Sequence, residues 1–502
     1  MLKLIKPLSI CAMAVATVML TDSCSKSLKP TSEEEALADD AKRTDALAAL
    51  KKSGLQDYSV TPALIKKLTG FEDVNIYSLI SSDDEFTGFR FAGSADGAGL
   101  VKNPDGNGYI MMVNNEDNYS VARLFLDKNL KPLRGEYALN SDGGTWRLCS
   151  GTMATPQENG FGPLYLSAGE SNSEAMIHGI DPFAASLSPN VAKGLSGLGK
   201  WSAENAVPLS KHAYPGKTII ITGEDASDAS GGQLVMYKSD ITGDLENGSQ
   251  FMLKRVDGVQ KETAMATGTP YEVEFVKIEN HKTLTGTQIQ ALVDPLQAIK
   301  FGRVEDIDYR KGKGNSREIY FNVTGQDASG VNTDLSRTVM GRVYKLEMDP
   351  ADPLKGKLTC ILDGDDNNGI AKDFQNPDNI MVTENYVYIQ EDSNTYGSEE
   401  HDAYVYQFSI ATGELKKVFE LDHRRNEADA AKYNVGGASK KGSWEYGALV
   451  DISDVVHLPN TFTLCIQPHS WTDAKFAGVD GGSKRANEKQ GSQIVILQGL
   501  PK

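Results

Sequence analysis

The chain is short of the features that mark most easily read enzymes. Its 502 residues hold only seven histidines, with no H-E-x-x-H and no close pair, which argues against histidine-based zinc hydrolysis. There is no G-x-S-x-G, so no serine nucleophile elbow is encoded. Cysteine is scarce too: beyond the first 24 residues only Cys149, Cys360 and Cys465 occur, far apart and odd in number, so there is no disulfide framework and at least one thiol stays free. Positive charge is in deficit. Fifty-one Lys and Arg against 68 Asp and Glu leave a net charge of -17, which argues against nucleic acid or an anionic membrane surface as partner and suits the binding of cations. Long apolar runs are missing after the first residues, so no later segment approaches the roughly 20 apolar residues of a membrane helix.

The one apolar run, Leu8 to Leu20, follows Lys3 and Lys6 and leads through small or polar residues to Cys24, the layout of a secretory signal peptide. Because it ends at a cysteine and not at A-x-A, it resembles a bacterial lipoprotein box, with Leu20 upstream and Ser23 just before Cys24. Residues 1–23 are expected to be a lipoprotein signal peptide and Cys24 the site of lipidation. An ordinary signal peptide with an incidental cysteine is the alternative. Residue 25 is Ser and not Asp, so an outer-membrane lipoprotein of the cell envelope is expected, on its periplasmic face or at the cell surface. Residues 24–70, rich in Ser, Glu, Asp, Lys and Ala, read as a polar, partly helical tether with a thin apolar stripe.

From residue 71 to 502 the pattern turns to short runs of Val, Ile, Tyr and Leu punctuated by Gly, Asn and Asp. Only 287–299, interrupted by Pro295, looks helical. Strands ending at Asp117, Glu170, Asp225, Asp327 and Asp392 each terminate at or beside a carboxylate, and a sixth run ends at His469. Repeated strand-turn-strand units at irregular spacing predict an all-β fold, a single β-propeller of six blades with insertions. In such a ring the inner strand ends converge on one channel mouth. Acids that merely cap turns are the plainer reading of any single position.

Several segments, in order, resemble the PhoX-type alkaline phosphatases, exported six-bladed propellers with an iron and calcium centre. ADGAGLVKNPDGNGYIMMVNNED is similar to the family's DG turn, strand and N-H-E tripeptide, with Asn115 in place of the histidine and Glu116 at its end. CSGTMATP followed by LYLSAGES resembles its C-x-G-x-x-T-P segment, which implies Cys149 as an iron-binding thiolate and Glu170 as a ligand; Gln157 stands where the family has tryptophan. HGIDPF is similar to E-x-D-P-F, and GLGKWSAENAV to L-G-R-F-x-H-E, with Glu204 at the ligand position and Lys200 and Ala203 replacing the family's Arg and His. TGEDASDASGGQLVMYKS implies Asp225, GRVEDI implies Arg303 and Glu305, FQNPDNIMVTENYVYIQED implies Asp378, Asn379 and Asp392, and WEYGALVDISDVV implies Glu445.

The resemblance implies hydrolysis of phosphate monoesters, with iron and calcium held by Cys149, Glu170, Glu204, Asp225, Glu305, Asp392 and Glu445; a monomer is expected. Arg303, Glu204 and Glu305 are then the catalytic residues, and Arg303, Lys200 and Asn115 the substrate contacts. The chemistry fits those residue types: calcium takes about 6 to 8 hard oxygen ligands, a thiolate suits iron or zinc, and a guanidinium can grip phosphate oxygens with two hydrogen bonds. A buried Cys149 in apolar surroundings would be a core residue instead. A calcium-stabilised, non-catalytic envelope scaffold is the alternative, and hydrolysis of a phosphodiester or lactone a third. GLSGLGKW satisfies G-x-x-x-x-G-K but carries Trp201 where Ser or Thr would bind magnesium, and DGDDNNG lacks the terminal Glu of an EF-hand loop.

Overall fold

The structure, a computed structural model, describes residues 54–394, 396, 399–436 and 439–502. The expected signal peptide, Cys24 and most of the expected tether lie outside the described residues. The part of the tether that is described, 54–70, belongs to the body: Leu64 and Ile65 are buried, and Ile65–Lys67 pairs antiparallel with Leu415–Leu421.

The body is an all-β propeller. Its inner strands are Ala95–Lys102, Arg147–Ala154, Ala203–Pro208, Val304–Tyr309, Pro377–Val382 and Glu445–Asp451, which open blades 1 to 6 in that order. Each touches the next, and the sixth touches the first, so the ring is closed. Every inner strand is followed by antiparallel neighbours in sequence order, joined by connections that run from short turns, as between Asn115 and Ser120, to long loops, as between Gln467 and Gln493. Blade 6 borrows its outermost strand from the other end of the chain: Asn75–Ser81 pairs antiparallel with Gln493–Gln498. Uniting distant segments in one blade closes the circle by main-chain hydrogen bonds.

Six hydrogen-bonded sheets would have been the plainest outcome. Instead Pro270–Ile278, a fifth strand added to blade 3, pairs with Lys355–Asp363 of blade 4, and the two blades merge into one nine-stranded sheet. The expected helix over 287–299 is also broken. A capped turn, Gly286–Gln290, ends before a second one, Val293–Leu296. Pro295 lacks an N–H and its ring would meet the carbonyl of Ala291, so continuity fails at that point. Between the blades the sheets bury Leu, Ile, Val and aromatic side chains in separate clusters, such as Phe301, Phe321 and Tyr344 with ring centroids 5.2 to 5.6 Å apart.

Candidate metal centre

A single local irregularity recurs around the ring. In every blade three residue steps on the inner strand stand opposite two on its neighbour, between Ala95 and Ala98, Leu148 and Gly151, Ala203 and Ala206, Val304 and Ile307, Pro377 and Ile380, and Tyr446 and Leu449. These are β-bulges, which insert one residue, bend the strand and re-aim side chains. The first residue inside the bulge is Asp96, Cys149, Glu204, Glu305 or Asp378 in blades 1 to 5. In blade 6 it is Gly447, because a Cβ there would lie 2.6 Å from the Cα of Asp96. Glu445, two residues earlier and opposite Gln467, supplies the acid of that blade.

A second set comes from the ends of the neighbouring strands. Glu170 ends Leu164–Glu170, while Glu116, Asp225 and Asp392 each follow directly on a second strand. Asp327 of blade 4 does not join them; it is exposed and accepts a hydrogen bond from Ser329. In blade 6 His469 takes this place, with Nε2 3.2 Å from Glu445 and Nδ1 2.6 Å from Gln490.

All these groups line one cavity of about 410 Å³. Ten carboxylates face it: Asp96, Glu116, Asp117, Glu170, Glu204, Asp225, Glu305, Asp378, Asp392 and Glu445. Against them stand two guanidiniums, Arg147 and Arg303. Four overlapping groups bring one donor atom of each member within 4.8 Å of the others: Asp96, Glu116 and Cys149; Cys149, Glu170 and Glu204; Glu204, Glu305 and Asp378; Asp378, Asp392 and Glu445.

The electrostatics follow from that crowding. Burial, then the charge of neighbouring acids, pushes Asp96, Glu170, Glu204, Asp378 and Glu445 well above the usual carboxylate range. Glu305 is raised for the same reasons, although Arg303 pulls against them. Burial and the nearby Glu170 and Glu204 likewise raise the Cys149 thiol, which donates to Glu170 over 2.7 Å. Asp225 is the exception. Burial acts to raise it, but the Arg303 guanidinium, at 2.6 and 3.0 Å, more than offsets that and holds it below its ordinary value. Arg303 also lies 3.2 Å from Glu305 and donates to Asn394. Its backbone is in the left-handed region, φ 71°, a costly conformation for a non-glycine residue and one that concentrates at functional sites.

The donor set fits metal ions. Oδ1 of Asp378 is buried and has no hydrogen-bond donor, and Oε1 of Glu305 has only the ion pair with Arg303 at 3.2 Å. Buried carboxylates without donors are costly when ionised, and two arginines cannot balance ten acids. Multivalent cations can.

Beneath the acids a polar belt crosses between blades. Asn379 donates to Ser150 at 2.7 Å, Asn205 donates to Asp306, and Asp306 accepts from the N–H groups of Ile307 at 2.7 Å and Ile380 at 3.1 Å. Burial pushes Asp306 up to about 7.

The structure therefore gathers Cys149, Glu170, Glu204, Asp225, Arg303, Glu305, Asp392 and Glu445 at one place, as it does Glu116 and Asp378. It does not bring in Lys200 or Asn115. Lys200 is half-exposed and paired with Glu174 at 2.8 Å, outside the cavity lining. Asn115 is fully buried at its strand end, again outside the lining, while the next two residues, Glu116 and Asp117, face the cavity. Sequence reasoning missed Asp96 and Arg147, and marked Asp117 as a strand end without giving it a role at the site. Asp96 was hidden in the segment read as a DG turn, and Arg147 stands two residues before Cys149; the bulges that aim the inner-strand residues are defined only by pairing with a neighbouring strand.

No family model and no curated protein matches the chain. Solved structures do. The structure of Pseudomonas fluorescens PhoX in complex with vanadate, a transition state analogue, superposes with a TM-score of 0.57 at 14% identity, over 89% of this chain and 98% of that one. An alpha-L-arabinofuranosidase of Fusarium graminearum in complex with an iminosugar inhibitor covers 86% of this chain and 98% of its own at 11% identity and a TM-score of 0.37. The PQQ-bound aldose sugar dehydrogenase of Streptomyces coelicolor covers 85% and 99%, again at 11% identity, with a TM-score of 0.34. The first likeness defines the chain as a β-propeller of the same fold as the PhoX structure. The other two are too distant to say more.

Proposed function

We propose that the cavity is a multinuclear metal centre that hydrolyses phosphate monoesters, in an exported, lipid-anchored protein of the cell envelope. The observation that carries the reading is the charge balance: ten carboxylates and one thiol meet two guanidiniums in a single cavity. The fold shared with a protein solved around vanadate, a transition state analogue, supports it.

The four overlapping triads would hold the ions, with Glu204, Cys149 and Asp378 each shared between two of them. Cys149, as a soft thiolate, suits iron, and the surrounding hard oxygens suit calcium. Bound cations would supply neutralisation of the phosphoryl dianion and a bound water acidified for attack. Arg303 does the rest of the electrostatic work from the chain itself. Asp225 fixes its plane by two contacts and Asn394 its third nitrogen, so its remaining N–H groups are pre-oriented for oxygens that gain negative charge as the ester bond breaks. Glu204 and Glu305 flank that position; Glu204 is itself oriented by the N–H of Ser150 at 3.1 Å.

The reading is tested by metal analysis of the purified protein with p-nitrophenyl phosphate turnover, comparing wild type with Cys149→Ala and Glu204→Gln. Iron and calcium with turnover lost in both variants is expected. Calcium without iron, and no turnover at alkaline pH, leaves the scaffold reading standing. Mass spectrometry of the mature N-terminus, expected to show an acylated Cys24, tests the anchor.

A further inference from the structure

Two guanidiniums line the cavity, and they differ. Arg303 is heavily engaged, with Asp225, Glu305 and Asn394 on its nitrogens and a side chain 22% exposed. Arg147, the first residue of the inner strand of blade 2, is 37% exposed. Its Nη1 donates to Glu116, and its Nη2 lies 3.2 Å from Asp117. Asp117 is fixed in turn by the Ser94 hydroxyl at 2.9 Å. An arginine carries five N–H donors in a rigid fork, so these two contacts leave Arg147 with donors to spare at the cavity surface.

The two arginines do not form one clamp. Between them runs a line of groups in contact: Cys149 with Glu170, Glu170 with Asp225, and Asp225 with Arg303. Arg147 is the cross-strand partner of Glu170, so the carboxylates of Glu170 and Asp225 stand between the two guanidiniums along this line. Of the two guanidiniums, Arg147 is the more exposed to an anion entering the cavity.

We propose that Arg147 is a second anion-binding residue and that the preferred substrate carries another anionic group besides the scissile phosphoryl group. This rests on the phosphomonoesterase reading for its substrate class, but its test is one of binding.

The metal-loaded, full-length protein is titrated calorimetrically with propane-1,3-bisphosphonate and with propylphosphonate, a matched pair with two anionic groups and one. Wild type is expected to bind the bisphosphonate at least tenfold more tightly. Arg147→Gln is expected to abolish that preference while changing the propylphosphonate Kd less than threefold. Arg147→Lys, which keeps the charge and guards against a folding failure of the first variant, is expected to lose at least threefold of the preference, since an ammonium lacks the fork. A wild type without preference, equal loss of both ligands in Arg147→Gln, or full preference in Arg147→Lys overturns the proposal. Failure of p-nitrophenyl phosphate turnover sinks the phosphomonoesterase reading instead, and the two binding constants still decide the role of Arg147.

Discussion

The Cys149 thiol lies 2.7 Å from Oε2 of Glu170, across the antiparallel strands that open blade 2. A soft donor and a hard one thus touch inside the same cavity. Once both have lost their protons, only a cation holds them together. Cys149→Ala and Cys149→Ser both remove the soft ligand, and only the serine can still donate to Glu170. Iron content is expected to fall at least tenfold in both variants while calcium is retained, as read by elemental mass spectrometry. Undiminished iron in Cys149→Ala would refute a ligand role.

Chelation should destabilise the whole ring. Ions that bind only the folded chain stabilise it by about 2.7 kcal/mol per site at a hundred times Kd. Treatment with a chelator is expected to lower Tm by more than 5 °C, and calcium to restore most of the loss. A Tm indifferent to both treatments would return the acids to solvated, structural roles.

Gly447 is required by packing. A Cβ there would sit 2.6 Å from the Cα of Asp96 and 2.8 Å from the carbonyl oxygen of Ala95, backbone atoms with no room to yield. Gly447→Ala is expected to cost about 1 to 3 kcal/mol, by overpacking, and to loosen metal binding at Asp96. Thermal unfolding and a calcium titration measure the two effects; a melt unchanged within 1 °C would show that blades 1 and 6 can part.

His178 gives a pH dependence distinct from that of the cavity. It is buried, its Nδ1 accepts the N–H of Lys193 at 3.1 Å, and burial lowers its pKa to about 4. A depressed value means the unfolded chain takes up the proton first. The stabilisation is complete above about 6.5 and is lost as pH falls through about 4, a swing of about 3 kcal/mol. His178→Gln is expected to flatten this acid slope in urea unfolding of the metal-free protein between pH 7 and pH 4. Parallel slopes for variant and wild type would contradict it.

Much of the fold was legible because β-strands announce themselves by composition and turns by Gly, Asn and Asp. The merging of blades 3 and 4 was not, since Pro270–Ile278 and Lys355–Asp363 are partly exposed edges whose pairing leaves no mark on either segment alone. The interruption of the helical stretch 287–299 was written in the sequence as Pro295, and the break falls before Val293, ahead of the proline itself. Lys200 sits close in sequence to Glu204, yet its side chain runs to Glu174, a direction that motif resemblance does not carry.

The short Val-, Ile- and Tyr-rich strands, their carboxylate ends, the excess of acid and the identity of Cys149 are properties of the sequence, and they were enough to predict an all-β fold whose acids suit cations. Which acids share a site was decided by tertiary structure. Asp96, Cys149, Glu204, Glu305 and Asp378 are each the first residue inside a bulge, and a bulge depends on the partner strand's register, which no single strand encodes. Ring closure then brings residues hundreds of positions apart within reach, excludes Asp327, and admits Arg147.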